Sequence, residues 1–267
     1  MQKAFDSLNT SRVAPDRKKI SLILSRDTFC KVNLLFFSQI ACMILGIGTK
    51  QLQARGLGPE GYGLLSLFIS IVAFSYPFFG IGVFGALSAL LANERCERRE
   101  KEILGAGVTL SSLLGLCYAA FLFVLSFFVD SLFNVHLGHV LRLAAPLCAV
   151  YPFQLLVGVA SAGTGSSHYE AYFLLFSRVS FLALFAFAYI LKGVTLSSVV
   201  LMNVVAICGA AAFTVRLFAP SFSNVRERAL EIIGAVREYG FHIYACLLYT
   251  SDAADEGLGV DLGGRRI

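Results

Sequence analysis

Long, unbroken runs of apolar residues constrain this chain more than any other feature of its sequence. An α-helix needs about 20 such residues to cross roughly 30 Å of hydrocarbon. Six segments reach that length: 32–49, 62–92, 104–129, 140–163, 171–191 and 196–217. The runs are continuous, whereas the strands of a membrane barrel alternate polar and apolar residues. The pattern therefore predicts an all-α fold, a polytopic membrane helix bundle with six transmembrane helices.

The composition excludes a water-soluble fold. Hydrophobic residues make up 57 % of the chain and charged residues 15 %, and the mean hydropathy is +0.74. Soluble domains carry about 25 % charged residues, so this chain has too little polar surface to cover the core it would need to bury. The seven cysteines are scattered along the chain and predict no disulfide framework.

The distribution of Lys and Arg predicts the orientation of the bundle. The amino-terminal tail (1–31), the loop at 93–103 and the segment after the sixth span carry seven, four and four of them, against four in all the alternate connections. Cytoplasmic loops hold the excess of positive charge, so we expect a cytoplasmic amino terminus. Within the tail, residues 17–26 either form an interfacial helix on an anionic leaflet or act only as a positive retention signal.

Two regions at the carboxyl end are read separately from the 32–217 bundle. Residues 218–245 are expected to form a cytoplasmic connector that leads, at 239–245, into the start of a seventh span. From Cys246 the sequence runs CLLYTSDAADE and later VDLGGRRI, and these blocks resemble the translation of a sequencing-library adapter. We therefore expect residues 246–267 to be non-biological and the chain to be the amino-terminal part of a longer protein.

Arg178 is the most informative single residue, because it lies about seven residues inside the fifth predicted span. A charge inside a span is costly and usually faces a bundle interior or a polar cavity; alternatively, its side chain snorkels to the interface. Pro77 in the second span and Pro146 and Pro152 in the fourth predict irregular helices, which are tolerated at membrane depth only against protein or a watery cavity.

The residues that catalysis requires are missing from the predicted spans. No Asp or Glu lies inside them, with Glu60, Asp130 and Glu170 at their edges, and the three histidines at 136, 139 and 168 fall in predicted loops. Metal-dependent chemistry needs clustered carboxylate or histidine ligands. We therefore predict no enzyme activity, no metal, no cofactor and no nucleic-acid partner.

The connection between the first two spans carries a recognisable motif. Residues 53–67 read QARGLGPEGYGLLSL, in which Gly56, Gly58, Gly61 and Gly63 permit positive φ and Pro59 starts a turn. With Tyr62, this stretch resembles the A-R-x-L-G-P-x-x-Y-G turn of bacterial polysaccharide and O-antigen lipid-linked oligosaccharide flippases. The order of spans, the charged loop at 93–103 and REYG at 237–240 extend the resemblance over most of 28–245.

This resemblance implies a transporter of two related helix bundles, of which this chain is the first. Such a flippase moves an undecaprenyl-diphosphate-linked oligosaccharide from the cytoplasmic to the periplasmic leaflet of the bacterial inner membrane. Its partners are then the lipid-linked glycan, the bilayer and the missing carboxy-terminal bundle. Arg55 by analogy and Arg178 by depth are the main candidates for contact with the anionic substrate, and Lys50 and Arg142 are weaker ones.

Three other functions stay open at this stage. A multidrug or cation extruder of the same superfamily usually needs a buried acid for ion coupling, which the predicted spans lack. A non-transporting membrane scaffold of a glycan-assembly complex would need no polar cavity. A membrane enzyme would need the catalytic groups that the spans do not contain.

Overall fold

The computed structural model describes residues 26–80, 82–191 and 194–240. Helices account for 88 % of these residues and none of them lies in a strand, which confirms the all-α prediction. The α-helices of this described part are α1 (Arg26–Ser75), α2 (Val83–Asn93), α3 (Glu97–Leu125), α4 (Val129–Phe133), α5 (Gly138–Ala144), α6 (Tyr151–Gly163), α7 (Ser167–Ile190), α8 (Leu196–Phe218) and α9 (Val225–Ala235). The predicted interfacial helix at 17–26 lies, except for its last residue, outside the described residues, as do 241–245 and the adapter-like segment.

Four helical stretches are long and apolar enough to cross a membrane: Asn33–Gly80, Glu97–Leu125, Ser167–Ile190 and Leu196–Phe218. A fifth crossing results if Gly138–Ala144 and Leu147–Gly163, which are bent by 54° to each other, form one broken span. The described residues thus support four or five crossings, and the predicted number of six is not confirmed. Asn33–Gly80 is one helical stretch that contains the first predicted span and part of the second, so it is counted once although the chain breaks within it at Gly58.

Gly58 divides α1 into two helical halves. Its φ of 70° and ψ of 176° suit a residue without a side chain. Pro59 then opens the second half, where its missing N–H removes no helical hydrogen bond. Within the motif where the sequence predicts a tight turn, Gly58 has a positive φ, while Gly56, Gly61 and Gly63 have helical backbone.

Contacts on either side of Gly58 show that the chain reverses there. A Cβ built on Gly56 would lie 3.3 Å from Val194, just beyond the end of α7. At the other end of α7, Tyr76, which directly follows α1, lines one cavity with Glu170 from the first turn of α7. The first half of α1 therefore runs along α7 towards its end, and the second half runs back towards its start. Gly58 is the one residue between Gly56 and Ser75 with non-helical φ and ψ, so the reversal takes place there.

Two further breaks interrupt helices at prolines that the sequence analysis singled out. Pro77 lies in a 3₁₀ segment, Tyr76–Gly80, that ends α1, and α2 starts after Gly82 at φ 75°. Pro146 precedes the 3₁₀ segment Leu147–Val150 between α5 and α6, and Pro152 occupies the first turn of α6. Proline lacks the N–H that a helix interior requires, so the helical ladder is interrupted at both places.

The largest apolar cluster joins the second half of α1 to the middle of the other long helices. Its fully buried members include Phe68, Tyr118, Leu122 and Leu141. Tyr118 also shares a hydrogen bond of 2.9 Å with Ser75, where either oxygen can donate, and donates to the carbonyl oxygen of Val72 at 3.3 Å. These contacts fix α1 against α3 beside the first helix break.

The charged loop at 93–103 forms local ion pairs, such as Lys101 with Glu97 at 2.7 Å, and also pairs with a helix distant in sequence. Only residues 94–96 are non-helical, and the remaining charges belong to α3. Glu102 is 4 % exposed and pairs with Arg228 of α9 at 3.2 Å, while Arg99 pairs with Glu231 of α9 at 2.6 Å. The predicted connector after α8 is therefore partly a helix that packs on the start of α3.

Candidate functional site

Arg178 lies at the middle of α7, deeper than the sequence predicted. It is the twelfth residue of the 24-residue helix Ser167–Ile190, which places it about 16 Å along the axis from the first residue. The helix starts at Ser167 instead of near 171, because only residues 164–166 connect it to α6. The Arg178 side chain is exposed, and no ion pair or hydrogen bond to it is found among the described residues.

The first half of α1 presents a polar face to α7. Ser38, Cys42, Thr49, Gln53 and Gly56 recur at intervals of three, four and seven residues, which places them on one side of a helix. Ser38, Thr49 and Gln53 are buried at 3, 6 and 8 % exposure. This polar seam consists of small or uncharged groups, and its Cys42 thiol lies within electrostatic reach of the Arg178 guanidinium.

The structure brings the polar seam and Arg178 together but not all the predicted cations. Lys50 and Arg55 are both exposed, and their separation of five residues places them about 140° apart around the helix. Arg55 precedes the reversal at Gly58 and so lies near the far end of α7. Lys50 and Arg55 therefore do not form one cluster with Arg178.

Arg142 occupies a separate place. Its guanidinium lies 4.1 Å from the ring centroid of Phe127, and its Nε donates to Ser126 Oγ at 3.4 Å. In the same connection, Asp130 Oδ1 accepts from the backbone N–H groups of Leu137 and Gly138 at 2.7 and 2.6 Å. These contacts give Arg142 a structural role beside the α3–α5 connection.

A cavity that sequence reasoning missed lies between α6 and α7, next to the Tyr76–Gly80 segment. It has a volume of about 260 Å³ and is lined by residues of the Tyr76–Gly80 segment, α6 and α7. Its polar groups belong to Tyr76, Gln154 and Glu170. The sequence analysis placed Glu170 at the edge of a span and overlooked Gln154, because the irregular helix α6 hides which of its faces is internal.

A second cavity lies on the opposite side of α7 and is almost wholly apolar. Its volume is about 480 Å³, and its lining includes Tyr172, Phe176, Val179 and Phe213. Its apolar walls offer a transported polar group few partners. The two cavities along α7 therefore differ in chemistry, and the one on the side of α6 holds the polar groups.

The charged cluster formed by Glu94, Arg99 and Glu102 of the α2–α3 region with Arg228 and Glu231 of α9 lies outside the apolar part of the bundle. Backbone N–H groups of Cys96 and Arg95 lower the pKa of Glu94. Burial opposes ionisation of Glu231, but hydrogen bonds from Arg228 and Arg99 outweigh it and lower its pKa. Both carboxylates therefore stay ionised and paired at neutral pH.

The described part of the chain offers no set of side chains that could bind a metal ion. Within residues 26–80, 82–191 and 194–240, no group of three His, Cys, Asp or Glu side chains is placed to hold a metal ion. His139 and His168 lie in α5 and α7 instead of the predicted loops.

Comparison with known proteins gives one match. The family model described as "Polysaccharide biosynthesis protein" matches residues 30–251. No curated protein and no solved structure matches the chain. The family match covers the described helices almost completely and includes the Gly58 reversal, the polar seam and Arg178. The chain belongs to the polysaccharide biosynthesis protein family.

Proposed function

We propose that this chain is the first bundle of a flippase that moves an undecaprenyl-diphosphate-linked oligosaccharide across the bacterial inner membrane. Movement runs from the cytoplasmic to the periplasmic leaflet and supplies cell-surface polysaccharide synthesis. Members of this family are typically transporters or flippases rather than enzymes. The apolar helices that are long enough to cross a bilayer support the same assignment.

Arg178 is the observation that carries this proposal. An arginine at the centre of a spanning helix costs about 2.5–3.5 kcal/mol on insertion scales. Within the described residues its charge meets no carboxylate, so the cost is not offset by an internal ion pair. Its planar guanidinium binds phosphate oxygens in a bidentate manner. A diphosphate that enters the polar side of α7 would supply the missing anion.

The polar seam supports the proposal through its location. Transported lipids need a path where the headgroup avoids hydrocarbon. Arg178 is exposed beside the small polar side chains that α1 packs against α7. In transporters built from two repeats, substrate sites lie between the repeats. We therefore assign the exposed Arg178, beside the polar seam, to the face that a second, carboxy-terminal bundle covers, with the amino terminus in the cytoplasm.

A glycan-export assay in cells tests this assignment. A strain that lacks the gene is complemented with Arg178→Ala, Arg178→Lys or, as a matched control, Arg226→Ala, an exposed arginine on α9. We expect Arg178→Ala to abolish surface glycan, Arg178→Lys to retain part of it because a charge without the planar fork remains, and the control to export normally. Normal export by Arg178→Ala at matched expression would refute the assignment.

A further inference from the structure

Two broken helices meet at one place in the bundle. The 3₁₀ segment Tyr76–Gly80 interrupts the helix that follows Gly58, and the 3₁₀ segment Leu147–Val150 interrupts the α5–α6 pair. The rings of Tyr76 and Tyr151 lie 5.8 Å apart, and a Cβ on Gly80 would lie 3.9 Å from Leu155. Broken helices inside a membrane persist where they line protein or a polar cavity, and in transporters they mark substrate sites.

The cavity of about 260 Å³ lies directly against these breaks. Tyr76 comes from the first break, Gln154 follows the second by one turn, and Glu170 comes from the first turn of α7. Within the described residues, the phenol, amide and carboxylate make no hydrogen bond and no ion pair. Polar side chains inside an apolar bundle normally find partners, so three free ones facing one cavity indicate a ligand that supplies them.

The side chains that line this cavity indicate which class of ligand it can bind. The three groups together donate and accept hydrogen bonds, while Phe173, Leu155 and Leu174 supply apolar walls. This combination suits a sugar ring, which carries hydroxyl groups at its edge and C–H groups on its faces. Drug-sized ligands occupy about 300–1,000 Å³, so the cavity takes one ring and not an oligosaccharide. A bound Ca²⁺ or Mg²⁺ would need about six oxygen ligands, more than these side chains provide.

We propose that this cavity binds the sugar that is joined directly to the diphosphate of the lipid-linked substrate. The proposal rests on the proposed function and extends it. Arg178 follows Glu170 by eight residues, about 12 Å along the helix axis, and long helical side chains point back toward the amino terminus. Glu170 lies near the predicted cytoplasmic end of α7, so the sugar occupies the entrance side while Arg178 holds the diphosphate.

A binding comparison with two probes tests the sugar site. Full-length protein in lipid nanodiscs is titrated with undecaprenyl diphosphate and with undecaprenyl-diphosphate N-acetylglucosamine. A hydrogen bond to a charged group strengthens binding by about tenfold or more, so we expect wild type to bind the sugar-bearing lipid at least about tenfold more tightly. Glu170→Gln and Gln154→Leu should remove most of that preference and leave the affinity for the bare lipid unchanged.

Controls separate the sugar site from the proposed function. Glu238→Gln, an exposed carboxylate beyond α9, should keep the preference, and Arg178→Ala should weaken binding of both lipids to a similar extent. Equal affinity of wild type for the two probes, or an unchanged preference in Glu170→Gln and Gln154→Leu, would overturn the sugar site alone. Failure of wild type to bind either lipid would instead overturn the proposed function.

Discussion

Replacement of Arg228 should lower the free energy of unfolding, because Arg228 belongs to the charged cluster that holds α9 against α3. Arg228 Nε donates to Glu102 Oε2 at 3.2 Å, and its Nη1 donates to Glu231 at 2.8 Å. The Glu102 side chain is 5 % exposed and that of Arg228 is 17 % exposed. Arg228→Met keeps the length of the side chain and removes its charge, so it leaves a buried carboxylate with one partner fewer.

The magnitude follows from what Glu102 retains. Loss of one partner from a fully buried ion pair costs about 3–5 kcal/mol. Here Arg98 remains 3.4 Å from Glu102, and the cluster lies at the edge of the bundle. We therefore expect Arg228→Met to lower the free energy of unfolding by about 2 kcal/mol. Arg98→Met should change it by about 0.5 kcal/mol or less, because the Arg98 side chain is 82 % exposed.

Unfolding of the purified chain in mixed detergent micelles, followed by circular dichroism, measures these differences. A double-mutant cycle adds Glu102→Gln, which removes the stranded charge. If the reasoning is correct, Arg228→Met costs less in the Glu102→Gln background, with a coupling of about 1–2 kcal/mol. Strict additivity of the two substitutions, or a larger effect from Arg98→Met than from Arg228→Met, would refute it.

Three further predictions concern packing, pH and topology. Gly115→Ala should destabilise the bundle by about 1–3 kcal/mol, because its Cβ would collide with the backbone oxygen of Ala149 in the neighbouring break. Gly234→Ala, which meets nothing within 4 Å, should be neutral or slightly stabilising in the same unfolding assay. The pKa values of Glu94 and Glu231 are lowered from 4.5, so these carboxylates stabilise the fold fully above pH 4.5, and the stabilisation is lost as the pH falls below it. Glu231→Gln should therefore reduce the loss of stability in acid, measured as melting temperatures over a pH series. An acid profile unchanged by Glu231→Gln would contradict the assignment. Cys96 is exposed between α2 and α3. In a variant whose other cysteines are replaced by serine, it should react with a membrane-impermeant maleimide from the cytoplasmic side only. Labelling from the periplasmic side would contradict the predicted orientation.

Hydrophobic length was sufficient to predict the class of fold but not the number of crossings. The apolar runs predicted helices because backbone groups in hydrocarbon must be satisfied within one segment, and those helices are present. The turn between the first two spans was predicted within residues 53–67, but the prediction did not single out Gly58 as the residue that breaks the helix. Four glycines in the motif offered four possible turns, and local sequence does not show which one takes the positive φ.

The sequence predicted the part of the candidate site that depends on one unusual residue, and not the part that depends on contacts between helices. Arg178 was recognisable from its charge inside an apolar run, although its depth depended on where α7 begins. The cavity was not recognisable, because Gln154 and Glu170 belong to different helices and converge only where α6 and α7 pack against each other. The pairing of Glu102 with Arg228 likewise joins residues 126 positions apart, which no local charge pattern indicates.

Lipid translocation by the purified, full-length protein tests the central claim most directly. Proteoliposomes would carry an undecaprenyl-diphosphate-linked oligosaccharide in one leaflet, and its arrival in the other leaflet would be read with a membrane-impermeant lectin. The account predicts translocation by wild type, little or none by Arg178→Ala and an intermediate rate for Arg178→Lys at equal incorporation. Absence of translocation by wild type, or an undiminished rate for Arg178→Ala, would contradict it.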